Sequence, residues 1–134
     1  MLACAELFIN LLESKNLKYN AGVLKDGEVL VDFPFEGKAV KCIFAGNDGE
    51  YLSLYLVYEK IPEDKMADLI FLCNELNAKF KWVKFYVDKD GDLMLQDDSI
   101  LTPETAAMEA FELLLRMISI GQDVKASVMR AIYA

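Results

Sequence analysis

Asp88, Asp90 and Asp92 alternate in the run Asp-Lys-Asp-Gly-Asp, and three carboxylates so closely spaced are suited to holding a hard cation such as calcium. A calcium loop of the EF-hand type carries its glycine at the sixth position and a bidentate glutamate at the twelfth. Counted from Asp88, Gly91 is fourth and the twelfth residue is Ser99. The run also lies between two strand-like segments, so it reads as a hairpin turn with incidental carboxylates, and no metal site is expected. Histidine is absent, which removes the commonest general base and metal ligand and most triad chemistry. Cys4, Cys42 and Cys73 are widely spaced, form no Cys-x-x-Cys pair, and each falls on an apolar stripe. They read as reduced thiols packed as small hydrophobes. The glycines are scattered singly through turns, with no phosphate-cradling loop. Two acidic residues could converge in space, but no spacing supports such a dyad. The residues predict neither an enzyme nor a cofactor.

Composition bounds the partners. The chain has 134 residues and a net charge of −8, which repels phosphate backbones and makes nucleic acid an unsuitable partner. Lys38, Lys41, Lys79, Lys81 and Lys84 are dispersed and read as solvated strand faces. The apolar fraction, 54%, lies above the usual range and implies either a dense core or apolar surface that another chain covers. No apolar run is long enough to span a bilayer. Leu2-Ala3-Cys4 has no basic segment or apolar region before it, so no anchor is expected. With unpaired cysteines, the default expectation is a cytoplasmic location.

The elements that would position these residues are marked by Asp26-Gly27, Asp48-Gly49 and Asp90-Gly91, each beside a run of alternating apolar and polar residues. Residues 2–15 have helical spacing, and residues 16–25 read as a connection. Strands follow at 28–35, 38–45 and 51–58, with Pro34 demanding an edge or an end near it. Pro62 opens a second helix, which Asn77 ends as a left-handed cap. A hairpin covers 80–87 and 92–96. Thr102 caps a helix running to about Ile120, where Gly121 marks a break before a short final helix capped by Asp123. The order α-β-β-β-α-β-β-α predicts an α+β fold, an antiparallel sheet packed against helices, as one domain over residues 1–134.

An antiparallel sheet with one wet face reads as apolar-in and polar-out. Here the strand at 51–58 sets Leu52, Leu54, Leu56 and Tyr58 against Tyr51, Tyr55 and Val57. The segment at 80–87 sets Phe80, Trp82 and Tyr86 against Val83, Phe85 and Val87. Both faces must then be at least partly covered. Either the terminal helices wrap around to the second side, or that side is a dimer seam or a groove for a partner peptide. On the second account, Tyr51, Tyr55, Val83 and Phe85 form a protein-binding face, with main-chain pairing at any free edge strand. The alternative is a small-ligand sensor with a pocket between sheet and long helix lined by Met108, Phe111 and Leu115.

Several local signatures resemble the YbjN-like family of small bacterial proteins, also described as putative sensory transduction regulators with a fold like type III secretion chaperones. They are the Ile61-Pro62 helix start, the Leu76-Asn77 end of that helix, the hairpin Phe85-Tyr86-Val87-Asp88-Lys89-Asp90-Gly91-Asp92-Leu93, and the helix after Thr102-Pro103-Glu104. The likeness covers most of the chain in order and brings no catalytic residues. It implies a domain, often a homodimer, that acts by holding another protein in a chaperone-like or regulatory role.

Overall fold

The computed structural model describes residues 1–134 as an α+β structure with six strands and four helices. The order is α1 (Ala3–Ser14), β1 (Asn20–Val23), β2 (Val29–Phe35), β3 (Lys38–Ala45), β4 (Tyr51–Lys60), α2 (Met66–Lys79), β5 (Lys84–Val87), β6 (Asp92–Ile100), α3 (Ala106–Asp123) and α4 (Lys125–Tyr133). The strands form one antiparallel sheet in the order β1-β2-β3-β4-β6-β5. β6 inserts between β4 and β5, and α2 carries the chain across it.

The segment expected to be a bare connection contains a strand. β1 pairs with β2 from Asn20↔Asp32 to Val23↔Val29. The hairpin between them is closed by Leu24 N–H on Glu28 C=O at 2.7 Å and by Gly27, whose φ of +89° sets the turn. Asn-Ala-Gly-Val gave no apolar–polar alternation to read. β1 stops opposite Asp32, so Pro34 lies beyond that pairing, where its missing N–H deprives no neighbour.

The helix ends also differ from expectation. α1 closes with Asn16 in the left-handed region (φ 56°), where Leu17 N–H reaches Leu12 C=O and Asn16 N–H reaches Glu13 C=O. Asn77 is no such cap, because α2 continues to Lys79. Its side chain instead serves β5: Nδ2 donates to Phe85 C=O at 2.9 Å, and Oδ1 accepts from Phe85 N–H at 2.7 Å. One amide thereby occupies the outward main-chain groups at the centre of an edge strand. Pro62 opens a single 3₁₀ turn, Glu63–Lys65, before α2. Thr102 likewise precedes a turn, and α3 proper starts at Ala106. Gly121 lies inside α3, where a Cβ would stand 3.4 Å from the Phe35 ring and 3.5 Å from Tyr58. These are ordinary van der Waals distances, and the helix simply continues through Gly121 to Asp123. The chain turns instead at Val124, and Asp123 makes no side-chain cap to α4.

All four helices contribute to one cluster of 33 buried side chains, and every strand residue in it has the same facing. These include Val29 and Val31 of β2, Val40, Cys42 and Phe44 of β3, Leu52, Leu54 and Leu56 of β4, Phe85 of β5, and Leu93 and Leu95 of β6. The terminal helices therefore do not wrap to the second side of the sheet. Cys42 lies deep in this layer, where burial first and Asp32 second push its thiol up to about 12; burial alone raises Cys73 to about 11. Both stay protonated and act as apolar packing.

The Asn77→Ala variant is expected to lose about 1–3 kcal/mol of stability, because it strands a partly buried N–H and C=O. Urea unfolding measures the loss, and hydrogen exchange localises it to the Phe85 amide. Unchanged protection of that amide would show that the edge does not depend on Asn77.

Candidate functional site

With every helix on one side, the other side of the sheet stands open. Alternation along each strand and the pairing between strands fix its residues. β4 supplies Tyr51, Ser53, Tyr55 and Val57, β3 supplies Ala45, Ile43 and Lys41, and β6 supplies Ile100, Asp98, Gln96 and Met94 in matching rows. Tyr86 of β5 lies beside Met94, and Leu30 of β2 beside Ile43. Tyr51 is 54% exposed, Val57 46% and Ile100 74%. Met94 is buried yet stands outside the core cluster, as its place on this face requires.

Polar groups on the open face are tied to one another. Tyr86 Oη donates to Gln96 Oε1 at 2.7 Å, Gln96 Nε2 donates to both Asp98 oxygens at 3.2 Å, and Ser53 Oγ donates to Asp98 Oδ1 at 2.7 Å. Partial burial first, then Tyr55, Asp88 and Asp98, raise the Tyr86 hydroxyl above its ordinary range and keep it a donor. Lys41 Nζ stands 3.5 Å from Asp32 Oδ1 on the other side of Tyr55. Lys84 lies 5.9 Å from the Tyr86 ring centre. The two lysines and two aspartates balance, so this face is neutral on a chain of net charge −8. Apolar side chains held in a fixed, neutral polar frame suit protein contact better than proton transfer.

Tyr51 and Tyr55 belong to this face; Val83 and Phe85 do not. Phe85 stands opposite Leu95 and is buried in the helix-facing core. Val83 precedes β5, is buried too, and has a φ of 75°, a strained backbone for a β-branched residue. Tyr86 is the residue of that segment that joins the tyrosines. Gln96, Asp98 and Met94 also escaped the sequence reading, which ended β6 at Gln96, since paired aspartates disfavour a strand. The signal was present in Leu93 and Leu95, whose neighbours Met94 and Gln96 fall on the opposite face, with Asp98 next in the same row.

Met108, Phe111 and Leu115 do not line a common pocket. The sheet-facing side of α3 carries Ala106, Ala110, Leu114 and Met117, all buried. Met108 and Leu115 are 77% and 44% exposed. Phe111 lies beneath Lys15, with Nζ 5.3 Å from its ring centre. Met108 alone borders a shallow groove with Trp82, Ser99, Glu112 and Arg116, where the Arg116 guanidinium covers the Trp82 ring at 5.2 Å.

The aspartates of the β5–β6 turn serve the hairpin. Asp88 Oδ1 accepts Asp90 N–H and Asp92 N–H, each at 3.0 Å, and Gly91 has the positive φ (80°) that the turn needs. Lys60 Nζ donates to Asp90 C=O and stands 3.8 Å from Asp92. Asp97 is different. Its Oδ1 accepts Asp98 N–H at 3.1 Å, while Oδ2 is buried without a partner, beside a depression that Asn77, Phe80 and Val83 line.

A family model, YbjN, described as a putative bacterial sensory transduction regulator, matches residues 5–124, from the first turn of α1 to the Val124 junction before α4. The chain belongs to that family. No curated protein matches it.

Desolvation raises the Asp97 carboxyl above its ordinary value of 3.8, against a lowering by the Asp98 N–H and with a further rise from the Asp98 carboxylate. The folded state then holds this proton more tightly than the unfolded state, so stability falls as pH rises through the carboxylate range, and the penalty persists at neutral pH. Asp97→Asn is expected to unfold at higher temperature than wild type at pH 7. The difference should vanish below about pH 3.5, where both states are protonated. Thermal melts across that range measure it.

Proposed function

We propose that this YbjN-family chain is a non-enzymatic, protein-binding domain of regulatory, chaperone-like type, with the open face of the sheet as its docking surface. The family's regulatory description supports the class of function. The observation that carries the binding mode is the exposure of Tyr51, Val57 and Ile100 on a sheet face that no helix covers. Covering the apolar area that these side chains still expose favours association. The polar row from Tyr86 to Ser53 is already satisfied, so a client need not supply its hydrogen bonds.

The edges favour one direction of approach. Asn77 closes β5, whereas all four residues of β1 are exposed. By the alternation of an antiparallel ladder, Ala21 and Val23 turn their N–H and C=O groups away from β2. An extended client segment can therefore add to β1 while its flanking side chains cross the open face. Three unpaired buried cysteines favour a reducing, cytoplasmic setting. No helix is long and apolar enough to cross a membrane. Net charge argues against nucleic acid as the client.

The test compares wild type with the Tyr51→Lys/Val57→Lys double variant, both immobilised and exposed to host lysate. The protein retained by wild type is then purified and titrated against each. Both substitutions are at exposed positions, so folding is expected to be unchanged by circular dichroism. A client whose affinity falls at least tenfold in the variant supports the sheet-face site. Equal affinity for both proteins excludes that site.

A further inference from the structure

The topology leaves a gap on the helix side of the sheet, at the far end of β6. β5 starts only at Lys84, opposite Gln96, whereas β6 runs on to Ile100. Ser99, opposite the buried Leu52, faces the helices there with no β5 residue beside it. Trp82, from the connection between α2 and β5, and the first half of α3 border the gap, and the buried Leu113 lines its base. The resulting groove holds about 540 Å³, within the ~300–1,000 Å³ that suits a small molecule.

Two kinds of group line it. Met108 is 77% exposed and Trp82 41%, so a thioether and an indole both remain uncovered. Sulfur and ring alike favour an aromatic guest. The charged groups come from α3. Arg116 extends its guanidinium over the Trp82 ring, 5.2 Å from its centre, and pairs with Glu112 at 2.7 Å. That contact shows how the groove holds a cation, with an indole face on one side and a carboxylate on the other. Glu109, about one turn before Glu112, lines the same groove and has no ion-pair partner. Two carboxylates therefore face one guanidinium, and the unmatched charge is negative.

We propose that this groove is a binding site for a small aromatic amine, whose ring packs between Trp82 and Met108 and whose ammonium rests on Glu109. Ser99 adds a hydroxyl within reach of the same guest. An aromatic carboxylate of the same shape would bring its charge against Glu109, on a chain that is already acidic. The site lies on the helix side, so it goes beyond client docking at the open face and does not depend on it. The two share a strand: Ser99 lines the groove, and Asp98 holds the polar row on the reverse.

Trp82 is the single tryptophan of the chain, so its emission reports on the groove directly. The full chain is titrated with phenethylamine, and with phenylpropionate as an anion of similar shape. The amine should give a saturable change in emission with half-saturation at or below about 1 mM, ordinary for so small a ligand. The carboxylate should give none. Glu109→Gln should weaken amine binding about three- to tenfold, for the loss of one charge-assisted contact. Glu109→Lys, which sets an ammonium where the guest's would lie, should abolish it. Glu63→Gln makes the same change of charge in the exposed turn before α2 and should bind as wild type does. Glu109 is exposed, so circular dichroism should be unchanged in its variants. No saturation by about 10 mM amine, equal binding of the carboxylate, or undiminished affinity in either Glu109 variant would each overturn the proposal. The Tyr51→Lys/Val57→Lys variant should bind the amine as wild type does, so client capture and amine binding can fail separately.

Discussion

One apolar layer between the four helices and a single face of the sheet holds the molecule together, and everything else follows from its being one-sided. At about 25 cal/mol per Å² of apolar surface, burying that many side chains supplies most of what opposes chain entropy. Helices committed to one face leave nothing for the other. The open face thus inherits its rigidity from side chains that it does not display: Leu52, Leu54 and Leu56 fix β4, and Tyr51, Tyr55 and Val57 are held on its reverse.

The open face could have been polar, as in most half-buried sheets. Instead it combines exposed aromatic and aliphatic groups with a hydrogen-bonded row through Tyr86, Gln96, Asp98 and Ser53. The row spans three strands and holds β4, β6 and β5 in register from the solvent side. A surface that is rigid before contact loses little entropy on binding, which suits recognition. The two sheet edges are handled unequally for a related reason. An unpaired edge invites association, and Asn77 blocks it at β5 while β1 is left bare.

A strained backbone and one of the two buried carboxylate oxygens without a hydrogen-bond partner meet at one corner, the other being Asp32 Oδ1 on β2. Val83 in the left-handed region, the orphaned Asp97 Oδ2, and the Asn77 amide lie around the start of β5. The chain arrives there from α2 and must enter the sheet beside β6 within a few residues of Lys79. A short connection forced to turn sharply against a buried surface accounts for the backbone at Val83. It also accounts for a carboxylate at Asp97 that the turn covers without providing a donor.

Much of the fold was legible in the sequence because its causes are local. Asp26-Gly27, Asp48-Gly49 and Asp90-Gly91 each place glycine at positive φ, and strand alternation along residues 51–58 named its own two faces. The helical stripe of α1 and the Pro62 start of α2 follow from the same short-range rules. β1 was missed because Asn-Ala-Gly-Val carries no apolar–polar period. Gly121 was misread as a break because α3 runs on through it to Asp123, packed against Phe35 and Tyr58, which lie far away in the chain. The candidate site was half legible. Sequence showed that Tyr51 and Tyr55 share a face, and that Phe85 and Tyr86 do not. Which face of β5 continues which face of β4 depends on the intervening register through β6, where Phe85 meets Leu95 and Leu95 meets Leu56. Alternation is a property of one strand and is written in its residues. The matching of faces between strands, and the choice of which face the helices bury, are properties of their packing, and only the tertiary structure decided them.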